Sequence, residues 1–187
     1  IGNSAQPRKG AHFVFEAIAL LKEEYPEIKL YVTGNKYEKN IKDWKSYFGY
    51  RAFLQRMIKK LNLEDNIVFL GVLQEQEMAK QIAKMHVYVM GSVIENSPNT
   101  LGEAMIMGVP CITSYNGGVS DMASDGKEAL HYRDNDPRML AYQIKRILDD
   151  TELAKTLSKN AKLKANHTHS PEKNLEDLLS CYRSILS

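Results

Sequence analysis

The chain is predicted to be an α/β protein with a Rossmann-like parallel sheet of about six strands, the first truncated. Helices are expected on both faces, with a helical C-terminal end. Three observations predict this. Short apolar runs of strand length alternate with segments of helical spacing, and turn residues cluster where the strand-like runs stop. Beyond Pro137 only helical spacing remains. Strands alternating with helices pair in parallel through right-handed crossovers, which leaves helices covering both faces.

The elements follow in order. The run "IGN" at the start has the character of a strand's last residues, as in a piece cut from a longer polypeptide. From Gly10 to Tyr25, Val14, Ile18 and Leu21 recur on one helical face. Pro26 ends that helix, and "IKLYVTG" (28–34) reads as a buried strand. A long helix is expected from Ile41 to Leu61, with Phe53, Leu54, Met57 and Leu61 as its core stripe. "NIVFLG" (66–71) and "HVYVMG" (86–91) are strands flanking a short helix in "EQEMAKQIAKM". A helix from Pro98 to Met107, the strand "VPCITS" (109–114) and the strand "EALHY" (128–132) come next. "RMLAYQIKRILDD", "ELAKTLSKNAKLKA" and "PEKNLEDLLSCYRSIL" then read as three closing helices.

Bulk properties exclude several functions. With 187 residues, 43% of them apolar and 26% charged, the chain has an ordinary globular composition and can bury a real core. A net charge of +2, with bases interleaved among acids as in "KEEYPEIK", indicates no nucleic-acid partner. Cys111 and Cys181 are too few for a disulfide framework or a zinc site, and His12, His86, His131, His167 and His169 have no clustered acidic or thiol partners. No run approaches the roughly 20 apolar residues that span a bilayer. A cytoplasmic setting and no bound metal are therefore expected.

The chemistry concentrates in "VIENSPNTLGEAMIMGVPCITSYNGG" (93–118). In open parallel sheets the ligand crevice lies beyond the carboxyl ends of the strands, and this stretch falls there. Ser97 followed by Pro98 signals a helix start, with Ser97 as N-cap and Pro98 at the first helical position. Such an end carries unpaired N–H groups and partial positive charge, suited to a phosphate or diphosphate. Glu95 lies just before it and Glu103 just inside it, each able to accept hydrogen bonds from sugar hydroxyls. A diphosphate site flanked by two hydroxyl acceptors describes a nucleotide-sugar. Gly117 and Gly118 at the crevice rim are expected to permit close approach of that ligand.

The order of these motifs resembles the donor-binding C-terminal domain of retaining glycosyltransferases of the GT-B architecture, family 4. The E-x7-E signature stands as "ENSPNTLGE", followed by "EAMIMGVP", by "SYNGGVSD" ending at Asp121, and by the "DG" at 125–126. Upstream, "PRKG" carries the basic Lys9. The resemblance implies one half of a GT-B fold, with an N-terminal acceptor domain missing from this chain. It implies that Lys9 neutralises the leaving diphosphate and that Glu95 holds the transferred sugar. The backbone amides of Ser97, Asn99, Thr100 and Leu101 would surround the sugar and diphosphate, with Glu103 on the ribose. On that division of labour, Glu95→Ala should leave binding of the bare nucleotide almost unchanged.

The implied substrate is a nucleoside-diphosphate sugar, with no cofactor and no metal, in glycan or polysaccharide biosynthesis. Any peripheral membrane association would come through the missing half only. Two departures from the family pattern stand out. Asn3 occupies the place of an arginine that shares the diphosphate, with Arg8 beside Lys9, and Pro98 replaces a glycine. A non-catalytic nucleotide-binding module, or a related epimerase or phosphorylase of GT-B architecture, are the alternative readings of the same residues.

Overall fold

A computed structural model describes residues 6–34 and 49–186. After a 3₁₀ turn at Pro7–Lys9, the described elements are α1 (Ala11–Leu21), β1 (Leu30–Val32), α2 (Tyr50–Lys60), β2 (Ile67–Phe69) and α3 (Glu75–Ile82). They continue with β3 (Tyr88–Met90), α4 (Asn99–Ile106), β4 (Cys111–Ser114), α5 (Val119–Met122) and β5 (Ala129–Tyr132). The chain closes with α6 (Pro137–Asp149), α7 (Thr151–Thr168) and α8 (Pro171–Leu186).

Every strand pairing is parallel, as the alternation predicts. Among the described residues the strands form a pair, β1–β2, and a triple, β3–β4–β5. Leu30 lies opposite Ile67, Tyr88 opposite Cys111, and Thr113 opposite His131. The expected first strand at residues 1–3 and the first part of the Ile41–Leu61 helix lie outside the described residues. Each observed strand is shorter than its apolar run.

Two buried clusters cover the two sheet faces. On one, Val14, Phe15, Ile18 and Leu21 of α1 meet Leu140 and Ile144 of α6, with Ile112 and Leu130 from the sheet. On the other, Leu101, Ala104 and Met105 of α4 pack with Ala161 and Ala165 of α7, over Cys111 and Ala129. Alternation along β4 and β5 decides the division, since successive side chains point to opposite faces. In α2 the core stripe differs from the expected one. Leu54 and Met57 are buried together with Ala52 and Ile58. Phe53 instead remains 43% exposed, in a ring cluster with Tyr50 and His12.

The helix ends are locally encoded. The side chain of Asp136 accepts a hydrogen bond from the Met139 amide at 2.9 Å, and that of Asp150 accepts from the Leu153 amide at 2.9 Å. Both are N-caps, and Pro137 follows Asp136 at the first helical position. Asp136→Ala should lower stability by about 1 kcal/mol, read as a reduced urea midpoint with an unchanged slope.

Candidate functional site

The basic residue is delivered by a close backbone contact. The 3₁₀ turn ends at Gly10, whose φ of 63° lies in the left-handed region, and α1 starts immediately after it. A Cβ on Gly10 would sit 1.8 Å from the carbonyl oxygen of Gly91, at the end of β3. The Val93 amide donates to the Arg8 carbonyl at 2.9 Å, tying the same turn to the segment after β3. Lys9 is thereby held against the loop that carries Glu95.

Across 86 positions of sequence, the Lys9 ammonium donates to the Glu95 carboxylate in a close ion pair. Their side chains are 24% and 12% exposed, so the pair is partly shielded from water. Burial by itself would push the Glu95 carboxyl up. The hydrogen bonds from Lys9 and Ser92, with the charges of Lys9 and Arg8, outweigh it and hold the carboxyl below its ordinary value. Glu95 is an anion at neutral pH.

The glycine pair supports this loop from the other side. A Cβ on Gly117, whose φ is 50°, would lie 1.9 Å from the Glu95 carbonyl oxygen, and one on Gly118 would lie 2.2 Å from that of Asn96. What approaches the two glycines in the structure is therefore the Glu95–Asn96 backbone. The Ser92 carbonyl, in turn, accepts from the Asn116 amide nitrogen at 2.6 Å and from the Ser114 hydroxyl. These contacts join the ends of β3 and β4 into one rim.

The start of α4 differs by one residue from the expected one. Pro98 is the N-cap, with extended backbone (ψ 108°), and Asn99 is the first helical residue. Ser97 does not cap the helix, and its hydroxyl instead contacts the Met122 sulfur at 3.8 Å. A proline N-cap has no side-chain acceptor to offer, so the Asn99 and Thr100 amides gain no cap from it. The Leu101 amide is committed to the Pro98 carbonyl at 3.0 Å, and its side chain is fully buried. Within the described residues the Asn99 and Thr100 amides make no hydrogen bond, and no acid occupies the first turn. They form an electropositive helix end.

Glu103 stands on α4 and lines a cavity of about 100 Å³ with Thr100, Tyr88, Thr33 and Leu70. The Tyr88 hydroxyl donates to the Thr100 hydroxyl at 2.9 Å. Burial holds this phenol above its ordinary value, and the charges of both Glu103 and Glu95 add to the shift. A larger cavity of about 620 Å³ lies between α2 and the start of β2, near Lys59 and Glu64. Neither Lys9 nor Glu95 lines it.

The structure therefore brings together Lys9, Glu95, Gly117 and Gly118, with the Asn99 and Thr100 amides alongside. Glu103 borders the same region from α4. Asn3 lies outside the described residues. Asp121 lies on α5, while Asp125 serves β5 by accepting from the His131 amide at 2.7 Å. Sequence reasoning missed Gly10, Gly91, Ser92, Tyr88 and Asn116. Gly10 was visible only as part of a motif, and the others are short-range ordinary residues whose partners lie on other elements.

A parallel, doubly covered α/β domain with a basic residue, two glutamates and a free helix start at its strand ends is a half of the GT-B type. The chain belongs to the family described as Glycosyl transferases group 1, whose profile matches residues 3–164. It is 25% identical over 181 residues to spore coat protein SA of Bacillus subtilis (strain 168), covering 93% of this chain and 45% of that protein. It is also 25% identical over 186 residues to the putative colanic acid biosynthesis glycosyltransferase WcaL of Escherichia coli (strain K12), covering 95% and 43%. The solved structure of Anabaena Alr3699/HepE in complex with UDP superimposes with a TM-score of 0.79 at 22% identity, over 96% of this chain and 48% of that one. The chain spans less than half the length of these relatives.

Proposed function

We propose that this chain is the donor-binding half of a retaining glycosyltransferase, which moves a sugar from a nucleoside-diphosphate sugar to an acceptor hydroxyl in glycan or polysaccharide biosynthesis. The observation that carries the reading is the placing of Lys9 and Glu95 together beside the free start of α4. Lys9 and the Asn99 and Thr100 amides stabilise the charge that develops on the departing diphosphate. Glu95 accepts hydrogen bonds from the sugar and Glu103 from the ribose, while Ser97, Gly117 and Gly118 shape the rim. In the reaction the bond from the sugar's anomeric carbon to the diphosphate breaks and a bond to the acceptor oxygen forms. The acceptor's proton leaves with the diphosphate or to solvent. No metal or cofactor is assigned a part, and the setting proposed is cytoplasmic.

Relatives more than twice as long support an acceptor half outside this chain. So does α8, which buries none of its residues while Leu175, Leu178, Leu179 and Tyr182 form an exposed stripe at helical spacing. We assign that stripe to contact with the rest of the polypeptide, and any membrane association to the other half.

The test is binding. The chain should bind UDP, GDP or ADP, and Glu103→Ala should weaken that binding by roughly 1–3 kcal/mol, the cost of a lost charged hydrogen bond. Titration calorimetry showing no change for Glu103→Ala would remove it from the ribose. Binding of none of the three nucleotides would overturn the donor-binding reading.

A further inference from the structure

We infer that Glu95 is also the resident counter-ion of Lys9, competing with the diphosphate, so that the site favours a nucleotide still carrying its sugar over the spent nucleoside diphosphate. The inference rests on the donor-binding reading and adds to it a selectivity that the motif does not state.

Three observations carry it. The Lys9 ammonium is paired, and its partner is the very carboxylate assigned to the sugar. The pair is 24% and 12% exposed, so water screens it only in part. The backbone on both sides is held close, by the Gly10–Gly91 contact beside Lys9 and by Gly117 and Gly118 under the Glu95–Asn96 backbone, which keeps the two side chains within reach of each other.

A diphosphate arriving at Lys9 therefore meets a negative charge already paired with it. An ammonium has three donors and can touch both anions, but the two anions repel each other across it. A sugar on the diphosphate changes the balance. Its hydroxyls donate to Glu95, satisfying the carboxylate while the diphosphate takes Lys9. Once the sugar has been transferred, Glu95 loses those donors and returns to Lys9, which weakens the hold on the product. The same glutamate thus helps to grip the donor and to release the nucleoside diphosphate.

The test is a double-mutant cycle on the 187-residue chain, with Glu95→Gln, Lys9→Ala and the double variant. UDP, GDP and ADP are titrated, each beside its glucose conjugate. Glu95→Gln should bind the preferred bare nucleotide about 3–10-fold more tightly, where the division of labour between Glu95 and Glu103 taken alone predicts no change, and should bind its glucose conjugate more weakly. The gain should vanish in the Lys9→Ala background. Opposite changes for the two ligands cannot come from misfolding, which weakens both. Unchanged or weaker nucleotide binding by Glu95→Gln would overturn this inference and leave the donor-binding reading standing. A gain that persists without Lys9 would overturn it as well. Binding of no nucleotide by any of the proteins would sink both.

Discussion

Gly10→Ala should destabilise the chain by roughly 2–4 kcal/mol. Two costs combine. The residue has a φ of 63°, where a side chain is strained, and its new Cβ would stand 1.8 Å from the Gly91 carbonyl oxygen. Backbone cannot yield as a side-chain tip can, so the start of α1 must separate from the end of β3. Gly126→Ala is the control. Its φ is 72°, but nothing lies within 4 Å of the added Cβ, so it carries the conformational cost of about 1–2 kcal/mol alone. Urea unfolding of the two variants measures the difference. Equal midpoints would mean that the Gly10–Gly91 approach is not a fixed contact. The same change should loosen the hold on Lys9, so whatever folded Gly10→Ala remains should bind nucleoside diphosphate more weakly.

The isolated chain should transfer no sugar to any acceptor. Holding two reactants in line contributes roughly 7–11 kcal/mol of barrier reduction, and on the donor-half proposal this chain would provide one wall of the cleft. Radiolabelled sugar nucleotides incubated with the chain and a panel of acceptors should give no product above background. The full-length parent polypeptide, assayed in parallel, should be active, and its Lys9→Ala variant should lose most of that activity. Robust transfer by residues 1–187 alone would overturn the assignment of the acceptor to another half.

Much of the fold was legible because its signals are local. Periodicities of two and 3.6 placed all five described strands and the closing helices, and the Asp136–Pro137 pair marks the start of α6 by chemistry confined to one turn. Element ends were less legible. Ser97 has the preferred N-cap chemistry, yet Pro98 takes the position and Ser97 turns towards Met122. The packing of α5 against the loop decides that choice, and nothing within four residues of Ser97 announces it. Phe53 fits a helical core stripe by spacing, but its exposure is set by neighbours on α1.

The site divides along the same line. The spacing of Glu95 and Glu103, the helix start between them and the glycine pair after β4 are properties of one continuous stretch, and they determined which chemistry the chain could hold. Which residues meet was decided only by the tertiary structure. Lys9 is 86 positions from Glu95, and their pairing requires α1 to start against the end of β3. Gly117 and Gly118, read from the motif as room for a ligand, accommodate the backbone of Glu95 and Asn96. Local sequence encodes backbone preference and hydrogen-bonding capacity. The choice of partner depends on which elements the core brings within van der Waals reach, and that is a property of the packed whole.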